Sequence, residues 1–176
     1  MTPTEAKKNL QEAVRLWVRD AGAVEACNQV LELPAFNTWP AAEKHHHVYE
    51  GGLMVHTAEV LGNALWHGNL HRSLEILTCA AVFHDVMKIK DYEKVDGVWQ
   101  KTKYAKQVYH PAGSYAEWIR ACSNLSIDKE LADAVGHCIL SHHGRKDWGA
   151  IQEPQTKEAL ILHFADMLSA FYGEGR

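Results

Sequence analysis

The chain has 176 residues, of which 47% are hydrophobic and 23% charged, and its formal net charge is −4. This length suits one domain with a substantial core, and the negative charge excludes a global attraction to nucleic acid or to anionic membranes. No apolar run could span a bilayer and no secretory signal is apparent, so no membrane association is expected. The four cysteines lie far apart without a Cys-x-x-Cys pair, which favours unpaired thiols in a reducing cytoplasm over a structural zinc knuckle.

The N-terminal part is predicted to be helical up to a proline-rich break. Residues 4–33 carry apolar side chains at helical spacing, and Thr4 is the candidate N-cap, without the full capping box. The stretch "LPAFNTWP" then interrupts the pattern with two prolines. The next stretch, "GGLMVHTAEVLGNALWHG", predicts a helix that ends at Gly68.

The middle of the chain contains the most apolar predicted helix, followed by a hairpin. The helix is "SLEILTCAAVFHDVMKI", for which Ser73 is the candidate N-cap, and its composition favours a central position. After it, Asp96 and Gly97 stand between two valines, which is typical of a type I′ turn. A small β-hairpin is therefore predicted around residues 91–101.

The C-terminal half returns to helical patterns. Residues 111–123 form one predicted helix with Pro111 in its first turn, and Asp128 is the candidate cap of the helix "KELADAVGHCILSHH". The last predicted helix, "TKEALILHFADMLSAFYG", begins after Thr156 and ends at Gly173.

No repeat, low-complexity tract or linker divides these elements. They predict an all-α helical bundle with one small β-hairpin. We expect a single domain over residues 1–176, in which 1–44 form a helical N-terminal extension and 45–170 form the core.

Histidines and acids recur on these predicted helices, and the chain contains twelve histidines. His84 and Asp85 are adjacent in the most apolar helix, where they are costly unless something binds them. Taken alone, the pair is better explained as a hydrogen-bonded His–Asp pair in the core. Further ligand-type residues on the other helices favour a metal site over a simple core pair, because helical bundles build metal sites from side chains on facing helices. They are His56, His110, His142, His143 and Asp166.

The order of these residues resembles a known family. His56, His84-Asp85 and Asp166 resemble the HD superfamily of metal-dependent phosphohydrolases. The additional His110 and His142-His143 resemble its two-metal members, including the HD-GYP phosphodiesterases. Three stretches, "HHVYEGGLMVHT", "ILSHHGRKDWG" and "PQTKEALILHFADMLSA", are similar to the HD domain of the YhaM-type 3′-to-5′ exoribonucleases, over roughly residues 45–170.

The resemblance implies two divalent transition-metal ions, for which imidazole and carboxylate ligands suit Mn, Fe, Ni, Co or Zn. Asp85 would bridge the ions and serve catalysis, since two metals sharing a carboxylate can activate a hydroxide and neutralise a phosphate. The first metal would be held by His56, His84, Asp85 and Asp166. The second would be held by Asp85, His110, His142 and His143.

Other residues are candidates for contacting the substrate. Lys88, three residues after Asp85, would meet the substrate phosphate, although Met87 replaces the Gly of the usual His-Asp-x-Gly-Lys motif; a solvated helix end is the alternative. His46, His47 and Arg145 are candidates for substrate binding. His137 is interpreted as a residue that supports a metal ligand or faces the substrate. The remaining histidines are expected on the surface or satisfied in the core: His67, His71 and His163.

The predicted function is a two-metal, cytoplasmic phosphohydrolase. It would be a phosphodiesterase acting on a nucleotide or a short nucleic-acid 3′ end through a metal-bound hydroxide. A mixed-valent di-iron oxygenase of the same superfamily is the alternative, and a non-catalytic nucleotide-sensing module ranks third. A homo-oligomer is left open. Trp99, Tyr104 and Trp148 are candidates for stacking on bases, although core or hairpin packing is the commoner role of such aromatics.

Overall fold

The computed structural model describes residues 1–44, 46–67 and 71–172. Helices dominate, and the only strands within these ranges form one antiparallel pair. In chain order the elements are α1 (Pro3–Trp17), α2 (Ala21–Glu32), α3 (Pro34–Thr38), α4 (Gly52–His67), α5 (His71–Phe83), α6 (Lys88–Asp91), β1 (Tyr92–Val95), β2 (Val98–Lys101), α7 (Lys103–Gln107), α8 (His110–Leu125), α9 (Lys129–Ser141), a 3-10 turn (Lys146–Trp148) and α10 (Lys157–Tyr172). The predicted all-α bundle with a small hairpin is confirmed.

The N-terminal stretch predicted as one helical region forms two helices, and its cap is Thr2 instead of Thr4. The Thr2 side chain accepts a hydrogen bond from the Glu5 backbone N–H, while the Glu5 carboxylate accepts from the Thr2 N–H, so the capping box is complete. Asp20 caps the second helix by accepting from the Ala23 N–H at 2.8 Å. Both capping residues satisfy backbone donors that would otherwise lack partners.

Helix α5 is central, as its composition predicts. It packs against α1, α2, α4, α8, α9 and α10. Ser73 is not its N-cap: it lies inside the helix, and its hydroxyl donates to Glu158 Oε1 of α10 at 2.6 Å. The predicted helix ends at Gly68 and Gly173 lie outside the described residues.

The hairpin and the N-caps of the two C-terminal helices agree with prediction. Asp96 and Gly97 have φ of +50° and +81°, as a type I′ turn requires, and Val95 pairs with Val98 across it. The Asp128 carboxylate accepts from Leu131 N–H at 3.0 Å, and Thr156 Oγ1 accepts from Ala159 N–H at 3.2 Å. Among the described residues, no helix has the length and apolar content needed to cross a membrane.

Candidate metal centre

The predicted ligands meet in two adjoining clusters, although they come from five separate parts of the chain. One cluster contains His56, His84, Asp85 and Asp166, and the other contains His110, His142 and His143; within each, the ligand atoms lie within 4.8 Å of one another. His56 lies in α4, Asp166 in α10 and His110 at the start of α8. His142 and His143 follow the end of α9, so the bundle brings all seven side chains to one place.

Asp85 stands between the clusters, and each of its oxygens faces one of them. Oδ2 lies 3.3 Å from Nε2 of His56 and 3.3 Å from Nε2 of His84. Oδ1 lies 3.1 Å from Nε2 of His110 and 3.6 Å from Nε2 of His142. A carboxylate in this position can bridge two cations.

The His-Asp segment is a turn, not the continuation of α5 that the apolar pattern predicts. The helix ends at Phe83, and residues 84–87 turn before Lys88 begins α6. The turn keeps the Lys88 N–H bonded to the Asp85 carbonyl at 2.9 Å and brings Lys88 Nζ to 2.6 Å from Asp85 Oδ2. Lys88 is only 8% exposed. The alternative of a solvated helix end for this lysine is therefore wrong.

Hydrogen bonds at the far side of the rings fix how the histidines face the site. His84 Nδ1 lies 2.7 Å from the Ala81 carbonyl, and His142 Nδ1 lies 2.6 Å from the Ile139 carbonyl. A carbonyl can only accept, so each Nδ1 must carry the proton. In the neutral form of such a ring the lone pair is on Nε2, which faces the cluster, and this is the arrangement typical of metal-bound histidine.

Buried polar atoms at the centre lack the hydrogen bonds that buried groups normally make. Nε2 of His56, His84 and His142 and both carboxylate oxygens of Asp85 have no partner at hydrogen-bonding geometry among the described residues. The Lys88 contact is an ion pair that does not meet that geometry. Such a concentration of unsatisfied atoms is costly in a protein interior. Divalent cations fit this donor set, because imidazole and carboxylate together suit transition metals.

The acids of the first cluster remain ionised. Burial raises the pKa of Asp85, but the Lys88 charge, followed by the interactions with His84 and His110, outweighs it and holds that pKa well below its usual range. Burial likewise raises the pKa of Asp166, but the adjacent His56 imidazole, whose Nε2 lies 3.1 Å from Asp166 Oδ1, outweighs it and lowers that pKa. The first cluster therefore offers two carboxylates to a cation.

In the second cluster, His142 and His143 are uncharged because their pKa values are lowered. Burial, followed by the neighbouring His142 and His110, lowers the pKa of His143 to about 2. Burial also lowers the pKa of His142. Their lone pairs are consequently available to a metal at neutral pH.

A line of side chains runs from the back of His56 to His46. His56 Nδ1 lies 2.9 Å from Ser169 Oγ, which donates to Glu59 Oε2 at 2.7 Å. The same carboxylate oxygen lies 3.1 Å from His47 Nε2, and His47 Nδ1 lies 3.0 Å from His46 Nδ1. His47 is fully buried with φ of +51°. Both its nitrogens face protein groups, so the predicted substrate contact by His47 is not supported.

A model described as the HD domain matches residues 53–170, which is more than half of the chain. This chain belongs to the HD domain family. It is also 34% identical, over 137 residues, to proteins named 3′-5′ exoribonuclease YhaM from Bacillus subtilis, Bacillus velezensis and Bacillus licheniformis. The match covers 77% of this chain and 43% of each relative, so the chain spans less than half the length of these proteins. No solved structure gives a significant match.

Sequence reasoning missed three residues that support the centre of this HD domain. Asp91 is buried, and its Oδ2 lies 2.7 Å from Nδ1 of His110. Ser169 and Glu59 hold His56 as described above. Spacing is a signal for both, since Glu59 follows His56 by three residues and Ser169 follows Asp166 by three, which places each on the ligand's own helix face. No local pattern marks Asp91, which precedes the hairpin.

Two of the predicted outer residues belong to neither ligand cluster. Nε2 of His137 accepts a hydrogen bond from the Gln155 N–H at 2.9 Å, and His137 belongs to neither cluster. His137 is therefore neither a ligand nor a partner of one. Arg145 is exposed, and its guanidinium forms two bonds to the Asp147 carboxylate, at 2.9 and 3.0 Å. Its role in substrate binding remains a prediction.

Of the histidines expected to be ordinary, His163 is buried and satisfied. Its Nδ1 donates to the His142 carbonyl at 2.7 Å, so it supports the backbone of a proposed ligand. His67 lies exposed at the end of α4. His45 and the side chain of His71 lie outside what the structure describes.

Proposed function

We propose that this HD domain is a two-metal phosphohydrolase that cleaves phosphodiesters of nucleotides or short nucleic-acid 3′ ends. The observation that carries the proposal is the position of the Asp85 carboxylate. Its Oδ2 faces the first ligand cluster and its Oδ1 faces the second. Membership of the HD domain family and the likeness to proteins named as 3′-5′ exoribonucleases support the reaction and the substrate class.

The residues that would hold the metals are the seven of the two clusters. Their unsatisfied Nε2 and carboxylate atoms fit divalent Mn, Fe, Ni, Co or Zn. When bound, a pair of such ions supplies Lewis acidity toward a phosphoryl group and activates water. The proposed sets are His56, His84, Asp85 and Asp166 for the first ion, and Asp85, His110, His142 and His143 for the second.

The chain's own residues hold this donor set in place. The Nδ1 contacts of His84, His142 and His110 to protein oxygens prevent ring rotation and direct Nε2 inward. Tyr109 adds a contact from its hydroxyl to Nδ1 of His143 at 3.4 Å and packs edge-to-face against the ring of His110, with ring centroids 4.5 Å apart. Preorganisation of this kind keeps the catalytic geometry within narrow limits.

Lys88 is the side chain proposed to act on the phosphate. Burial lowers the pKa of Lys88, but the charge of Asp85 outweighs it and the pKa lies above its usual value, so the ammonium is charged. A buried cation beside the ligand clusters can stabilise negative charge that grows on phosphoryl oxygens. His46, which is half-buried beside the ring of His56, is proposed as an additional substrate contact.

The test is a substrate and metal screen. The protein is stripped with chelator and reloaded with Mn, Fe, Ni, Co, Zn or Mg. Each form is assayed on a generic phosphodiester, cyclic dinucleotides, nucleoside triphosphates and short 3′-labelled RNA and DNA. We expect metal-dependent release of nucleoside monophosphate from nucleic-acid ends or hydrolysis of a nucleotide. Oxygen uptake by the Fe form without phosphodiester cleavage would establish the oxygenase alternative instead.

A further inference from the structure

A groove of about 220 Å³ opens directly onto the proposed metal ligands. Its lining includes His142 and His143 of the second cluster and Asp166 of the first. The rest of the lining is Trp148, His163, Met167 and Ala170. A molecule whose phosphate reaches the ligands through this groove therefore has an aromatic ring beside the adjoining part of the molecule.

Trp148 is exposed in spite of its size, with 54% of its surface accessible. The 3-10 turn that carries it follows the paired histidines by only a few residues. Hydrogen bonds hold this turn, from Trp148 N–H to the Arg145 carbonyl at 3.0 Å and from Ala150 N–H to the same carbonyl at 3.0 Å. Gly149 closes it at φ of +99°, where a Cβ would lie 3.2 Å from His143 Nδ1. The turn is thus packed against the second cluster, and its backbone hydrogen bonds fix the position of Trp148 beside that cluster.

The Arg145 side chain completes a surface suited to a nucleotide. Its guanidinium carbon lies 5.4 Å from the centroid of the Trp148 ring, and Asp147 orients the guanidinium. A planar cation next to an aromatic ring presents one group for a phosphate and one for a base. A phosphodiester without a base gains no stacking contact from the Trp148 ring.

We propose that Trp148 is the base-stacking residue of this HD domain and favours substrates whose terminal nucleotide carries a base. The inference rests on the proposed function, since the phosphate of that nucleotide would lie at the ligand clusters. The groove is smaller than the roughly 300–1,000 Å³ typical of pockets for drug-sized ligands. It suits one terminal nucleotide, whose base would lie on the exposed ring of Trp148.

The test compares two single-stranded oligonucleotides that differ only at the 3′ end, one with a normal terminal nucleotide and one with an abasic terminal residue. Both carry a 5′ fluorophore. Binding to the metal-loaded protein is measured by fluorescence anisotropy at constant salt, and kcat/KM is measured on the same pair. Stacking on one aromatic side chain is worth roughly 5- to 150-fold in affinity.

The variants separate stacking from bulk. Trp148→Ala and Trp148→Leu should weaken binding of the normal end by about tenfold or more and leave the abasic end within about twofold. Trp148→Phe should retain part of the preference, because it keeps an aromatic face. Trp66→Ala is the matched control, since Trp66 is 83% exposed and does not line the groove. Metal content and circular dichroism confirm that each variant is folded and loaded.

The outcomes distinguish the two proposals. If the wild-type protein cleaves both ends with equal kcat/KM, or if Trp148→Leu behaves like the wild-type protein, the stacking role is wrong and the phosphohydrolase function stands. If the wild-type protein binds the normal end with the predicted Trp148 dependence but cleaves neither, the stacking role stands and the catalytic proposal fails. Absence of both binding and cleavage overturns both.

Discussion

The two ligand clusters share Asp85 but differ in charge and exposure. The first has two ionised carboxylates, and its histidines are fully buried. The second consists of three imidazoles, depends on Oδ1 of Asp85 for negative charge, and ends at the half-buried His143 on the groove. Because a divalent cation is attracted by net negative charge, the first cluster should bind its ion more tightly than the second. Asp85 thus lies between a site that contains a second carboxylate, Asp166, and a site made only of imidazoles, and both reach the groove.

Asp85→Asn should have the largest effect, because it removes the group common to both clusters. We expect loss of both metals and of activity, measured by elemental analysis and by the substrate screen. It also leaves Lys88 without its counter-charge, and breaking a buried ion pair in this way costs about 3–5 kcal/mol in the free energy of unfolding. Asp133→Asn is the control, since it removes an exposed carboxylate that pairs with Lys129. Two bound metals in a folded Asp85→Asn protein would disprove the bridge.

His142→Ala and His143→Ala should distinguish the metal occupancy of the second cluster from that of the first. Each removes a proposed ligand of the second metal only, so its occupancy should fall while the first metal remains. The loss should exceed the 10–100-fold that removal of an outer partner typically costs. Metal titration followed by calorimetry measures both sites. His137→Ala is the control in the same segment, and an equal effect there would show that the ligands are wrongly assigned.

Lys88→Ala tests whether the buried cation serves catalysis. Its ammonium contacts the Asp85 oxygen that faces the first cluster. Both metals should remain, because Lys88 is not a ligand, while turnover should fall by about 10²–10³-fold from lost stabilisation of phosphoryl charge. The exposed Lys90→Ala is the control. Unchanged kcat and kcat/KM in Lys88→Ala would limit the lysine to charge balance with Asp85.

Ser169→Ala should have the smallest effect and should affect the first cluster alone. It removes the hydroxyl between His56 Nδ1 and Glu59, so His56 loses its orientation but stays a ligand. We expect a 10–100-fold weaker first metal and an unchanged second metal. Ser123→Ala is the control, since among the described residues that hydroxyl bonds only to the Ile119 carbonyl of its own helix. A weaker second metal would contradict the separation of the clusters.

Several local elements were predictable, although the predicted caps at Thr4 and Ser73 were wrong. The hairpin turn at Asp96-Gly97 and the caps at Asp128 and Thr156 follow from interactions within a few residues, which a sequence displays directly. The predicted continuation of α5 beyond Phe83 was wrong. Apolar periodicity indicates which residues are buried. Because the His-Asp turn is as buried as the helix before it, the pattern does not reveal where the helix ends.

By itself, the sequence determined the residue types of the centre and their order along the chain, because imidazole and carboxylate side chains in an apolar bundle require a binding partner. Only the tertiary structure decided their arrangement. It determined which oxygen of Asp85 faces which cluster, and that the side chains of Lys88 and His47 are both buried. These features depend on contacts such as His56 to Ser169, which lie 113 residues apart. Packing of α4 against α10 brings such residues together, and no local pattern specifies that distance.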